Sequence, residues 1–138
     1  MSKIPHIILA SGSPHRRKLL NQVGIKFRAI SSRAQEATRL TKGCAHLVRA
    51  NALLKAKDVA SRLKQGLVIG ADTLVYIGDG KIIGKPRNLK EAKKNLKILS
   101  RKPQWLYSGV AVVDVKTKKA LVDFEKTKLI MTPLSGRE

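Results

Sequence analysis

Residues 11–17, which read Ser-Gly-Ser-Pro-His-Arg-Arg, stand between a short apolar run and a helical pattern. A loop of this composition before a helix presents free backbone N–H groups to an anion, and arginine adds bidentate contacts to phosphate. The loop therefore indicates a phosphate site, although a capped helix with a basic first turn explains the same residues. It is not a P-loop, because the sequence contains no G-x-x-x-x-G-K-[ST] pattern.

Two acids stand where a carboxylate could do chemistry. Asp72 follows the apolar run 67–71, and α/β folds place their site residues at such positions. Glu36 is the only acid within residues 1–57. Carboxylates in these positions could hold a divalent cation or activate water. The alternative is a loop-capping carboxylate at Asp72 and a solvated charge at Glu36.

Two lysines have settings that differ from those of the other basic residues. Lys55 lies in a helical pattern between apolar neighbours, and Lys85 lies between Gly84 and Pro86, which fix a loop around it. A solvated surface charge is the alternative for both, because the chain holds 29 Lys and Arg.

The charge balance restricts the partners of the chain. Against 29 Lys and Arg stand 9 Asp and Glu, a net charge of +20. Such a field attracts polyanions, so nucleotides, nucleic acid and anionic membrane surfaces are candidates beside a simply solvated surface. No stretch is long and apolar enough to predict a membrane span. Cys44 is the only cysteine, which fits a reducing compartment, and the first ten residues indicate a strand rather than a signal peptide, so we expect a cytoplasmic protein.

These residues need a scaffold of alternating strands and helices. The apolar spacing, caps and turns predict the order βαβ–α–ββ–α–ββ, an α/β fold with a mixed sheet flanked by helices. Ser13 and Asn88 are predicted helix caps, and Gly24 a helix stop. The predicted strands are 7–10, 25–30, 67–71 with 74–77, 81–84, 105–115 and 121–131, and the predicted helices are 14–23, 44–63 and 88–99. The residues predicted to face inward are Leu19, Leu20 and Val23 in the first helix, Leu47, Ala50, Leu54, Val59 and Leu63 in the second, and Ala92, Leu96 and Leu99 in the third.

Taken in order, these pieces resemble the Maf family. The matching stretches are 9–20, 24–27, Glu36, 55–56, 69–75, 84–86 and 107–110. The resemblance covers nearly the whole chain and implies one Maf-like domain over 1–138, with a sheet like that of inosine triphosphatases. It also implies hydrolysis of a nucleoside triphosphate to monophosphate and pyrophosphate with Mg²⁺ or Mn²⁺, and a homodimer.

The resemblance also implies roles for single residues. Asp72 matches the catalytic acid and, with Glu36, the metal site. Ser11, Ser13 and Arg16 match the triphosphate loop, and Lys55 and Lys85 match further polar positions of the cleft.

Some positions depart from the family pattern. His15 stands where an arginine linked to base choice is frequent, whereas Thr73 matches members acting on pyrimidine triphosphates. Arg33-Ala34-Gln35 replaces an acidic stretch, and members of the family extend further at the C-terminal end. These departures leave open an alternative, a protein that binds nucleotides or nucleic acid through its basic surface with little or no catalysis.

Overall fold

The computed structural model describes residues 6–38, 42–84 and 88–130. Within these ranges the predicted order of strands and helices is confirmed. In chain order the elements are β1 (Ile7–Leu9), α1 (Pro14–Gln22), β2 (Arg28–Ala29), α2 (Cys44–Ala60), β3 (Leu67–Tyr76), β4 (Ile82–Ile83), α3 (Leu89–Arg101), β5 (Gln104–Asp114) and β6 (Ala120–Leu129).

The strands form one mixed sheet in the order β2-β1-β3-β5-β6, with β4 beside β3. Strand β1 runs parallel to both β2 and β3, as a strand joined to its neighbour through a crossover helix does. The pairs β3–β4, β3–β5 and β5–β6 are antiparallel. The predicted α/β class with a mixed sheet is therefore confirmed.

Strand β3 continues without a break past residue 71, where the sequence predicts that a strand segment ends. Asp72 lies inside this strand, opposite Gly109 of β5, and not at a strand end. The prediction was wrong because ten residues of β3 pair continuously with β5, and this pairing carries the strand past a polar dipeptide. Side chains alternate across the sheet, so Asp72 and Thr73 face opposite sides.

Helix α2 packs on one face of the sheet and supplies much of the core. Its predicted inward positions Leu47 and Val59 are buried, but Ala50 and Leu54 are exposed. The helix instead presents Ala52 and Ala56 to the sheet. Ala52 and Ala56 meet Gly70, and the backbone of Val48 and Arg49 meets Gly109. An added Cβ at either glycine would collide with the backbone of α2. Close approach of backbone to backbone therefore sets the orientation of the helix, and the large Leu54 points outward.

Helices α1 and α3 begin where the sequence predicts. Ser13 accepts a hydrogen bond from the Arg16 backbone N–H, and Asn88 accepts one from that of Glu91. The inward faces predicted for both helices were wrong in part, since Leu19, Val23 and Leu96 are 47%, 69% and 47% exposed. No residue of either helix is buried, because neither is covered as α2 is within the described part of the chain. Of the predicted strand 25–30, the structure forms only β2.

Within the described residues, no helix has the length and apolar character needed to cross a membrane.

Candidate functional site

The side-chain ammonium of Lys55 lies between two carboxylates. Its Nζ is 2.6 Å from Glu36 Oε1 and 3.4 Å from Asp72 Oδ1, and it donates a hydrogen bond of 3.0 Å to the carbonyl of Ala71. The side chains of Lys55 and Asp72 are only 11% and 10% exposed, whereas that of Glu36 is 45% exposed. Charges withdrawn from water need partners. These three predicted site residues meet although they come from a loop, a helix and a strand.

Asn51 completes this cluster and was missed in the sequence. It is 3% exposed, and its Nδ2 donates to Asp72 Oδ2 at 3.1 Å and to the Ala37 carbonyl at 2.9 Å. Its Oδ1 accepts from the Ala37 backbone N–H at 2.9 Å. Asn51 thus ties the loop that carries Glu36 to the carboxylate of Asp72. A sequence signal existed, because Asn51 lies four residues before Lys55 and hence on the same face of a helix.

The loop between β1 and α1 is ordered by its own side chains. Ser11 Oγ accepts hydrogen bonds from the Ser13 backbone N–H at 3.1 Å and from Arg16 Nη1 at 3.2 Å. With Ser31, Ser32, Glu36 and Lys55, this loop lines a cavity of about 320 Å³. The predicted phosphate residues Ser11, Ser13 and Arg16 therefore share one cavity with Lys55.

Arg16 also reaches the other face of the sheet. Its Nη2 donates to Thr73 Oγ1 at 3.3 Å, and Thr73 Oγ1 lies 3.5 Å from Ser108 Oγ. A cavity of about 440 Å³ opens there, on the side of the sheet away from α2. It is lined by His15, Arg16, Thr73, Ser108 and Glu125 and by apolar side chains that include Leu20, Leu106 and Val110. The predicted specificity residues His15 and Thr73 are brought together in this cavity.

A third cleft, of about 680 Å³, lies on the α2 side of the sheet. Glu36 and Asp72 line it together with apolar side chains such as Leu47, Leu74 and Ile82. Glu36 lines both this cleft and the loop cavity, so the two adjoin at that carboxylate. Gly84 also lines the third cleft, whereas the predicted site residue Lys85 lies outside the described residues.

The donor set around Lys55 fits a hard divalent cation. No group of three or more His, Cys, Asp or Glu side chains that could hold a metal occurs in the described part of the chain. Glu36 and Asp72 are two such acids, and both carboxylates contact the ammonium of Lys55. Mg²⁺ is commonly bound through one or two carboxylates, with water and substrate phosphates completing its shell. The carboxylates of Glu36 and Asp72 could supply the protein ligands of such a site.

Asp58 of α2 fixes the start of the loop that carries Glu36. Its Oδ2 accepts hydrogen bonds from the Arg33 backbone N–H at 2.8 Å, from Ser32 Oγ at 3.0 Å and from Arg62 Nη2 at 3.0 Å. The backbone N–H of Arg33, followed by Ser32 and Arg62, holds the pKa of the Asp58 carboxyl below its ordinary value of 3.8.

The chain is similar to known proteins over almost its full length. A family model described as Maf-like protein matches residues 6–138. A dTTP/UTP pyrophosphatase of Alkaliphilus oremlandii is 41% identical, and one of Dictyoglomus thermophilum is 39% identical. Each alignment covers 96% of this chain and 68% of the relative.

Among solved structures, a HAM1 protein from Coxiella burnetii superposes with a TM-score of 0.54 at 16% identity. The superposition covers 91% of this chain and 72% of that one. At this identity the likeness shows the fold alone, and it agrees with the predicted likeness to inosine triphosphatases.

Proposed function

This chain belongs to the Maf family, and from that premise we propose that it hydrolyses pyrimidine nucleoside triphosphates, dTTP and UTP among them, to nucleoside monophosphate and pyrophosphate. The observation that carries the proposal is the Lys55 ammonium held between Glu36 and Asp72, beside the Ser11–Ser13 loop and Arg16 of α1. A polyphosphate needs positive charge on its oxygens, and a hydrolase needs a carboxylate near the scissile bond. This cluster offers both within one connected space.

The loop cavity is the proposed site of the β- and γ-phosphates. Ser11, Ser13, Arg16 and Lys55 all line it, so hydroxyl, guanidinium and ammonium donors are available to the phosphate oxygens. Charge develops on the leaving pyrophosphate as the bond between the α- and β-phosphates breaks. Cationic donors fixed in place beforehand stabilise that charge without reorganising.

Asp72 is the proposed group that orients or deprotonates the attacking water. Lys55 and Asn51 each contact one of its two oxygens, so the carboxylate is fixed in direction. Metal dependence is part of the proposal. Glu36 and Asp72 would hold Mg²⁺ or Mn²⁺, which when bound supplies further positive charge to the phosphates. We also expect Lys85 to contribute a phosphate contact, as the family resemblance implies.

The cavity lined by His15 and Thr73 is the proposed site of the base. Its mixture of apolar walls with a few hydroxyl and charged groups is typical of small-molecule sites. Arg16 lines both this cavity and the loop cavity, so one substrate could extend from one to the other. The pyrimidine substrates of the relatives support a pyrimidine here. A cytoplasmic location and a homodimer stay predictions.

Pyrophosphate release tests the function directly. We would assay dTTP, UTP, dCTP, dATP and dGTP with Mg²⁺, with Mn²⁺ and with EDTA. Asp72→Asn should lower kcat by at least about 10²-fold, in line with general-base catalysis, whereas Asp79→Asn, the same charge change in an exposed turn, should leave kcat unchanged. Undiminished pyrophosphate release in EDTA would contradict the proposed metal dependence. If a folded protein binds nucleotide but releases no pyrophosphate, the non-catalytic alternative is favoured.

A further inference from the structure

Helix α3 carries five basic residues, Lys90, Lys93, Lys94, Lys97 and Arg101. At 3.6 residues per turn, their spacing places all five within an arc of about 100° on one face. All five side chains are exposed. Glu91 is the one acid in the helix. We call this surface the basic face of α3. With a rise of 1.5 Å per residue, it forms a row about 16 Å long.

The apolar residues of α3 lie on a different side of the helix. Ala92, Leu96 and Leu99 centre about 150° from the basic face. Ala92 and Leu99 are half-buried. The exposed cations therefore lie on a different side of the helix from Ala92 and Leu99, and Lys90 and Lys94 stand at the edge that faces the β3–β4 turn. No part of the basic face lines the cavities around Lys55 and Arg16.

A groove runs along one edge of the basic face. It has a volume of about 620 Å³ and lies between α3 and the β3–β4 turn. Lys81, Lys90 and Lys94 line it, and Ile77, Ile82 and Ile98 supply apolar walls. Glu91 and Asn95 line the groove as well, so a row of cations adjoins a groove whose lining mixes charged, polar and apolar side chains.

We propose that the basic face of α3 and this groove bind a single strand of nucleic acid. The cations follow the phosphates, and an unpaired base enters the groove between the isoleucines. Proteins that bind single strands combine a positive track for the backbone with surfaces for the bases. A duplex fits less well, because its bases are stacked inside and cannot enter the groove.

An anionic bilayer also fits less well. A helix that lies in a membrane surface inserts an exposed apolar side and carries Lys and Arg on its polar face. In α3, Ala92 and Leu99 are already half-buried, which leaves Leu89 and Leu96 as the exposed large apolar side chains. The small apolar area available for insertion therefore favours a nucleic acid strand over a membrane.

Fluorescence anisotropy with a fluorescein-labelled dT20 and a labelled U20 tests the proposal, between 50 and 200 mM KCl. The variant Lys94→Gln/Lys97→Gln/Arg101→Gln should bind the oligonucleotides at least about tenfold more weakly. Its salt slope should fall by about 2, since single-strand binding loses about 0.7 per phosphate contact. The matched control, Lys116→Gln/Lys118→Gln/Lys119→Gln, removes the same charge from the exposed β5–β6 turn and should change neither quantity appreciably.

Four outcomes would overturn the proposal. These are unchanged binding by the α3 variant, equal loss in both variants, tighter α3-dependent binding to a 20-base-pair duplex, and α3-dependent binding to phosphatidylcholine–phosphatidylserine vesicles but not to the oligonucleotides. Both variants should keep the pyrophosphate release of the unaltered protein. The binding result is therefore independent of whether the proposed hydrolase activity is found.

Discussion

Asn51 connects three parts of the site that come from distant stretches of the sequence. Its amide contacts Asp72 in β3 and both backbone polar groups of Ala37, close to Glu36. A buried carboxylate needs its donors, and Asp72 has two such side-chain donors, Asn51 and Lys55. The side-chain amide of Asn51 therefore aligns Asp72, the proposed general base, with the loop that carries Glu36.

Replacement of Asn51 should affect both stability and activity. We expect Asn51→Ala to lower the free energy of unfolding by about 1.5–3 kcal/mol, as for lost hydrogen bonds to charged groups. It should also lower kcat more than it raises KM, because Asp72 loses its orientation. Urea unfolding and pyrophosphate release measure the two effects. Asn21→Ala, an exposed position on α1, is the control, and equal effects of the two substitutions would refute the role of Asn51.

Asp58 holds the start of the loop that carries Glu36 through hydrogen bonds whose strength depends on pH. Since its pKa is lowered in the folded state, its stabilising contribution is fully present above the ordinary value of 3.8 and is lost as the pH falls through the lowered pKa. The urea midpoint of Asp58→Asn should therefore lie below that of the unaltered protein by a constant amount between pH 5 and 7. The difference should shrink below about pH 3.8. A difference that widens in acid would contradict this linkage.

At the scale of elements, the site depends on how closely α2 lies on the sheet. Gly70 and Gly109 allow this contact, and the helix then places Asn51 and Lys55 directly over Asp72. A Cβ at Gly70 would collide with the Ala52 carbonyl and the Ala56 backbone N. Backbone atoms in a helix cannot rotate away as a side chain does, so the helix itself would have to move.

Gly70→Ala should therefore be severely destabilising. We expect a loss of about 3 kcal/mol or more in the free energy of unfolding, at or beyond the upper end of the usual range for overpacked cores, or failure to fold. Urea unfolding followed by circular dichroism measures it. Gly84→Ala is the matched control, because an added Cβ there meets no atom of the described residues within 4 Å and should change the midpoint little. An unfolding midpoint of Gly70→Ala equal to that of the control would show that α2 does not lie this close to the sheet.

At the scale of the whole molecule, the net charge of +20 acts against compactness. Self-repulsion of a strongly charged surface destabilises the folded state, and salt screens it, with a Debye length of about 10 Å at 0.1 M. The same charge gives a field that draws in nucleotides and other polyanions. The same net positive charge therefore attracts the substrate and destabilises the folded state.

Salt should therefore stabilise this protein. We expect its urea midpoint to rise between 50 and 500 mM NaCl. The rise should be smaller for Lys116→Gln/Lys118→Gln/Lys119→Gln, which lowers the net charge from +20 to +17. A midpoint that falls with salt in the unaltered protein would mean that attractive charge pairs, such as Lys55 with Glu36, outweigh the repulsion.

The sequence by itself determined the features that local chemistry controls. The caps at Ser13 and Asn88 and the turn at 78–80 mark element ends through hydrogen bonds and backbone preferences between neighbouring residues. The order of strands and helices followed from them, and so did the position of the Ser11–Ser13 loop between β1 and α1. The Maf resemblance named Glu36, Lys55 and Asp72, but not how they meet.

Only the tertiary structure decided what depends on contacts between distant segments. Pairing with β5 carried β3 through Asp72 and put Thr73 on the opposite face of the sheet. Contact with Gly70 and Gly109 turned α2 so that Asn51 points inward and Leu54 outward. The spacing of apolar residues in α2 indicates which positions could be buried. The surface of the sheet selects among these positions, because the helix comes closest where glycines and small side chains meet.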